Sequence, residues 1–405
     1  MDTIKFPWNM SKWDQTSELF KKWPFAHTDI GYRRQYLDIM FELMKIPKPT
    51  KLRLMTEKFI GPNGPMDLMI MSVLKGSQIF ESGLKATKAD VADVINISKR
   101  KVFVLMVCGF FGLIPNFCLE QMFSNEEFTR CLLAYFEFVW RKSLTDASWL
   151  DRRVRVDRRV GGRSVRLPDW SQSTNRLAQR LRIENKKVGI EDFRNCTQVN
   201  FADPKPGGTL PSDCGDVVQE EILFLIYPEL FVTVLLVPPI RKTEAIVVSG
   251  VTRINNYVGY KQTFKYAGPF VADQNDITIL FMDAVPIGDK GLGSALQADM
   301  NKAFVGFSGC DPTKYIATGH WGCGVFGGDP ALKSVVQLLA CSEAQRELIY
   351  VMFGEPIDGF EEFYQRLIEL NIEVRDVYNG LIYALKNYPT EPYKGILKYI
   401  DRTRR

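Results

Sequence analysis

Histidine is nearly missing from this chain of 405 residues, which carries only His27 and His320. A histidine-rich metal site is thereby excluded, and a Ser-His-Asp or Cys-His pair would have to use one of those two. Acid/base chemistry falls instead to carboxylates. The eight cysteines are Cys108, Cys118, Cys131, Cys196, Cys214, Cys310, Cys323 and Cys341. They form no C-x-x-C pair and follow no signal peptide, so free, mostly buried thiols in a reducing compartment are expected. Apolar runs long enough for a membrane are missing too. Val102 to Phe117 is too short and holds Pro115, and Ile222 to Ile240 is broken at Pro228 and at Pro238-Pro239. Both read as buried core.

What is present is the make-up of a soluble globular protein, with 46% hydrophobic and 24% charged residues. The length allows one large domain or two ordinary ones. A net charge of +5 does not demand a nucleic-acid partner, though it suits a polyanionic substrate. The charge is uneven: Arg152, Arg153, Arg155, Arg158, Arg159, Arg163 and Arg166 crowd one stretch. That stretch reads either as a solvated strand pair with alternating arginines or as an anion-facing surface.

Residues 1–145 read as helical, with apolar residues at helical spacing in Tyr36 to Lys45, Met66 to Val73 and Glu126 to Arg141. Beyond them the texture changes to short β-rich runs interleaved with helical patterns. Strands are expected at Thr197 to Ala202, Phe231 to Val237, Glu244 to Gly250, Ile277 to Ala284, Tyr315 to Gly319 and Leu348 to Phe353. Helices are expected at Val217 to Ile226, Ser294 to Phe307, Pro330 to Glu347, Gly359 to Leu370 and Val374 to Asn387. Strands without strict alternation imply a sheet covered on both faces, an α/β domain over residues 146–390, with 391–405 as a basic tail. Ligands of such sheets sit in loops at the carboxyl ends of strands, where this chain has Gly207-Gly208 and the segment Gly319 to Gly328.

Three features carry chemistry. Gly207-Gly208 can turn backbone N–H groups toward a diphosphate, although paired glycines after a strand commonly mean a turn. Glu220-Glu221 open a helix, which by itself only complements its dipole. Adjacent side chains diverge, so the two cannot flank one glycosidic bond, and one must act as acid/base while the other modulates it or binds ligand. The run Gly319 to Gly328 holds five glycines in ten residues and ends at Asp329-Pro330, an N-cap and first helical residue.

Gly207-Gly208 followed by Gln219-Glu220-Glu221 resembles the signature of the poly(ADP-ribose) glycohydrolase family. The segment Thr318 to Asp329 resembles that family's second diagnostic loop. Gly109 to Gly112, Tyr257 to Tyr260, Asn301 to Phe307 and Tyr350 to Gly354 also resemble family segments, in the family's order. The resemblance implies a macrodomain-like three-layer mixed sheet flanked by helices, with a mainly helical N-terminal region. It implies hydrolysis of ribose–ribose bonds in poly(ADP-ribose) with no metal and no cofactor. Glu221 inherits the acid/base role. Glu220 inherits ribose binding, and it would supply negative charge beside an oxocarbenium-like transition state. Gly207, Gly208, Gly324, Val325 and Phe326 inherit the diphosphate and ribose contacts, and Gln219 belongs with them among the substrate-binding residues. Ile190, Glu191, Tyr260 and Phe353 inherit the adenine pocket. The partners implied are the polymer and ADP-ribosylated proteins, with no membrane and no direct nucleic-acid binding, in the nucleus or the cytoplasm.

The chain departs from the family pattern near the centre. Thr209 replaces a third glycine, and the stretch from there to Gln219, including Pro211 and Asp213, is longer than usual. Asp203 stands where asparagine is usual, which adds a third carboxylate to the catalytic candidates as an acceptor near the ribose. His320 also replaces asparagine, and reads as a neutral hydrogen-bond donor to substrate or as packing. These changes motivate a competing reading, a binding protein for ADP-ribose with weakened turnover. The arginine stretch motivates a third, nucleic-acid binding that falls steeply with salt.

Overall fold

A computed structural model describes residues 4–46, 52, 55–177, 180–210, 216–271, 276–285 and 291–404. Eight strands form one mixed sheet. They are β1 (Asp93–Ser98), β2 (Arg153–Val160), β3 (Leu181–Glu184), β4 (Cys196–Ala202), β5 (Glu244–Val251), β8 (Ile277–Asp283), β9 (Tyr315–Thr318) and β10 (Leu348–Val351), in the order β1-β2-β5-β8-β4-β9-β10-β3. β6 (Asn255–Val258) and β7 (Lys265–Pro269) make a separate antiparallel pair. The sheet is antiparallel from β1 to β8 and parallel from β8 through to β3.

The longer helices are α1 (Trp13–Lys21), α2 (Ile30–Leu43), α3 (Pro65–Leu74), α4 (Lys99–Phe110), α5 (Glu126–Thr145), α6 (Gln219–Ile226), α7 (Gly291–Ser308), α8 (Pro330–Glu343), α9 (Phe360–Glu369), α10 (Val374–Asn387) and α11 (Pro392–Thr403). One face of the sheet presents Ile246, Val248, Ile279 and Phe281 to a core shared with α1 to α6. The other presents Ala245, Val247, Leu280 and Met282 to α7 to α11. Successive side chains point to opposite faces, so covering both makes β5 and β8 apolar without alternation, as the sequence implied. Ile279, Leu280 and Phe281 are fully buried, each side chain contributing about 1.5–3 kcal/mol.

Four expectations need correction. Phe231 to Val237 is not a strand: Pro228–Phe231 forms a 3-10 turn and Val232–Leu236 a short helix. The segment is buried nearly all round, and an apolar run of that kind has no periodicity to separate helix from strand. β1 arises within the stretch read as helical and pairs with β2. The arginine stretch is a single strand between β1 and β5, not a strand pair, and Arg158 points inward to a buried ion pair with Glu244 at 3.1 Å. The basic tail is α11, whose Ile396 and Ile400 bury against α10. No helix among the described residues is long and apolar enough to cross a membrane.

Candidate active site

The site begins where the sheet splits. β4 stays paired with β8 from Thr197 to Ala202, but with β9 only from Cys196 to Gln198. Past that point Gln219, at the start of α6, stands in for the departed strand. Its Nε2 donates to Val199 O at 2.8 Å and its Oε1 accepts from Phe201 N at 2.8 Å. Gln219 therefore holds the end of β4 with both polar atoms of its amide, a positioning part that its place in the motif did not reveal.

The next two residues fix the carboxylates. Glu220 is 3% exposed and accepts from Asp203 N at 2.8 Å and Gly207 N at 3.0 Å. Burial pushes its carboxyl well above the usual range, the two backbone donors offset part of this, and Glu221 and Asp203 add to it by like charge. Burial thus favours the neutral form of Glu220. Glu221 is also 3% exposed. Its Oε1 accepts from Thr209 N at 3.2 Å and Thr209 Oγ1 at 3.1 Å, and its Oε2 from Val218 N at 3.2 Å. The last bond satisfies an orphan donor at the start of α6, which Val218 cannot cap with its own side chain. Pro211 and Asp213 lie outside the described residues.

Glycine is needed above the pair. Gly207 and Gly208 have φ of 101° and 55°, the left-handed region. A Cβ on Gly208 would lie 2.5 Å from Glu221 Oε1 and 2.9 Å from Glu220 Oε2. The turn therefore lies directly over both carboxylates.

The opposite wall is the segment Gly319 to Gly328, and its glycines divide in two. Gly322 and Gly328 make room for Lys333: a Cβ on the first would meet Lys333 Nζ at 2.8 Å, and on the second Lys333 Cε at 2.8 Å. Lys333 is buried, ion-paired with Asp299, and lies 4.7 Å from the centre of the buried Trp321 ring. Gly324 and Gly327 have open space at the missing Cβ, the arrangement a ligand loop requires. Asp329 caps α8 by accepting from Leu332 N at 2.8 Å, as its sequence suggested. Lys333 and Asp299 form a buried pair behind this wall that the sequence did not reveal, since a lysine in a helix ordinarily reads as solvated.

Between these walls lies a cavity of about 120 Å³. Gln219, Glu220, Tyr260, His320, Gly324, Val325 and Phe326 all line it, with Phe201 and Trp321. Glu221 does not; it sits one position behind, clamped to Thr209 and Val218. Its carboxylate is still close enough to raise the phenol of Tyr260, second only to burial in doing so. Val325 is 91% exposed at the rim. Ile190 and Phe353 join one small apolar cluster, with Phe201 bridging it to the cavity. Phe353 has φ of 54°, and Gly319 admits it: a Cβ there would come within 2.7 Å of the ring.

Two candidates point elsewhere. Glu191 is buried and takes the Tyr257 hydroxyl, with burial holding its carboxyl above the ordinary range. Asp203 is exposed and turns its Oδ1 back to Lys205 N at 2.9 Å, closing its own turn. His320 packs between Tyr350 and Phe353; burial lowers its pKa, and its Nε2 has no partner among the described residues.

Residues 167–357 match the family described as Poly (ADP-ribose) glycohydrolase, Macro domain fold. The chain is 27% identical over 398 residues to "Probable poly(ADP-ribose) glycohydrolase 2" of Arabidopsis thaliana, covering 79% of this chain and 75% of that protein. It is 32% identical over 236 residues to "Poly(ADP-ribose) glycohydrolase 1" of Caenorhabditis elegans, covering 52% of this chain and 29% of that one. A solved poly(ADP-ribose) glycohydrolase from Thermomonospora curvata superposes with a TM-score of 0.34 at 18% identity, over 46% of this chain and 74% of that one. At that score the superposition decides nothing, and the assignment rests on the family match and the two relatives. The chain is thus similar to the poly(ADP-ribose) glycohydrolase family, through the model match over residues 167–357 and through both relatives.

Proposed function

We propose that this chain hydrolyses the ribose–ribose O-glycosidic bonds of poly(ADP-ribose), releasing ADP-ribose, with Glu221 as general acid and base. The observation that carries the role of Glu221 is the unequal fate of two adjacent carboxylates. Glu220 is held by two backbone donors and driven toward neutrality by burial. A neutral Glu220 removes like-charge repulsion when Glu221 ionises. In the forward step Glu221 passes its proton to the leaving ribose oxygen as the bond to C1″ breaks. Water then adds to C1″, and its proton returns to Glu221.

Substrate binding divides by chemistry. Gly324, Val325 and Phe326 line the cavity, and the turn at Gly207-Gly208, which does not line it, stands over the adjoining carboxylates; together they suit a diphosphate with its ribose. Tyr260 and Phe353 offer faces for adenine, a contact contributing about 1–3 kcal/mol per stacked base, and the fully buried Ile190 belongs to the apolar cluster that Phe353 packs against. Glu191 is bonded to Tyr257 and supports that slot from behind. ADP-ribosylated proteins carrying the polymer are the partners this reading implies. The seven cysteines among the described residues are free, which supports action inside the cell, in nucleus or cytoplasm.

Two of the three motives for the binding-only reading weaken, the longer loop lying partly outside the described residues. Thr209 holds Glu221 rather than displacing it, and Asp203 is occupied in its own turn. The test is direct: purified chain is incubated with purified polymer and products are followed by mass. Release of free ADP-ribose is expected; polymer bound without shortening would reject the proposal.

A further inference from the structure

We infer that Thr209 is a positioning residue for Glu221, its hydroxyl orienting the carboxyl group that passes the proton. The inference rests on the hydrolytic reading above and deepens it.

Thr209 gives two donors to one oxygen: N at 3.2 Å and Oγ1 at 3.1 Å from Glu221 Oε1. Val218 N holds the other oxygen at 3.2 Å. Both oxygens being held, the carboxyl plane is fixed about its last torsion, which is otherwise a broad, soft rotor. The two backbone groups can only donate, so neither can accept the O–H of the protonated form. A hydroxyl donates once and accepts twice, so it can turn and accept when Glu221 carries its proton. It is the one member of this clamp able to follow both states of an acid/base group. Threonine is stiff at χ1, which keeps the hydroxyl in place at small entropic cost.

The fold builds this contact across twelve positions of chain. The left-handed turn at Gly207 and Gly208 carries residue 209 over the start of α6, and the missing Cβ of Gly208 leaves Oε1 room to receive the hydroxyl.

The experiment compares Thr209→Val and Thr209→Ser with wild type in steady-state hydrolysis of polymer, with ADP-ribose affinity by calorimetry. Thr209→Val should lose kcat by about tenfold, the size of a lost hydrogen bond to a charged group. KM and ADP-ribose affinity should stay within about twofold. Thr209→Ser should restore kcat. Wild-type kcat in Thr209→Val overturns the inference alone, as does a kcat loss that Thr209→Ser shares or that ADP-ribose affinity matches. A wild-type chain without turnover overturns the hydrolytic reading and this inference with it.

Discussion

The missing β-carbon of Gly208 and Oε1 of Glu221 occupy one another's space: a carbon built there would stand 2.5 Å from that oxygen. The turn over the carboxylates is therefore as close as a backbone without a side chain allows. Gly208→Ala must displace the Glu221 carboxyl and hold a left-handed φ. It should cost about 1–3 kcal/mol in denaturant unfolding, and it should lower turnover by more than it lowers stability. Unchanged turnover would show that Glu221 is free of the turn.

Glu220 makes stability depend on pH. Its folded carboxyl is raised by burial above the unfolded value, so the folded state holds the proton over the window between them. Stability from this group is full below the ordinary carboxylate range and is lost as pH rises toward the folded value. Glu220→Gln stays neutral and escapes that loss, though its amide cannot accept from both Asp203 N and Gly207 N as the carboxyl does. The deficit of the variant against wild type should narrow in urea titrations as pH rises above the ordinary carboxylate range. A deficit that widens would contradict the assignment.

Lys333 supports the far wall. Lys333→Met leaves Asp299 buried without its cation, a change costing about 3–5 kcal/mol. Methionine keeps an unbranched stem in the space that Gly322 and Gly328 leave, so the loss reports the charge. Urea unfolding should show the loss, and calorimetry should show weaker ADP-ribose binding. Adding Asp299→Leu should recover part of the stability, because no lone charge remains.

How far the sequence spoke depended on whether chemistry or packing chose a residue. Glu220, Glu221, Gly207 and Gly208 were singled out through their resemblance to a family motif, and the structure brings them together. Lys333 and Asp299 meet only after α7 and α8 pack together, and a single sequence holds no trace of that. Gln219 was found with its neighbours, yet its task belongs to β4, where the sheet has parted. Phe231 to Val237 misled because full burial erases periodicity. α11 was hidden by its cationic residues, which ride on a helix whose Ile396 and Ile400 face the core.

His320 carries a lowered pKa because burial disfavours its cation, with Glu355 opposing slightly. The folded state therefore holds fewer protons than the unfolded one in the window below about 6.5. Stability from the neutral ring is present above that window and falls as pH drops through it. His320→Asn should flatten the acid side of the stability profile, as measured by denaturant midpoints. An equally steep fall would assign the acid loss to other groups.

Glu221→Gln tests the account at its centre, measured as ADP-ribose released from purified polymer beside ADP-ribose binding by calorimetry. The side chain keeps its size and cannot give or take the proton. Release should fall by at least about 100-fold, the scale of one acid/base group, while ADP-ribose still binds. Release near the wild-type rate would contradict the assignment of the reaction to this residue.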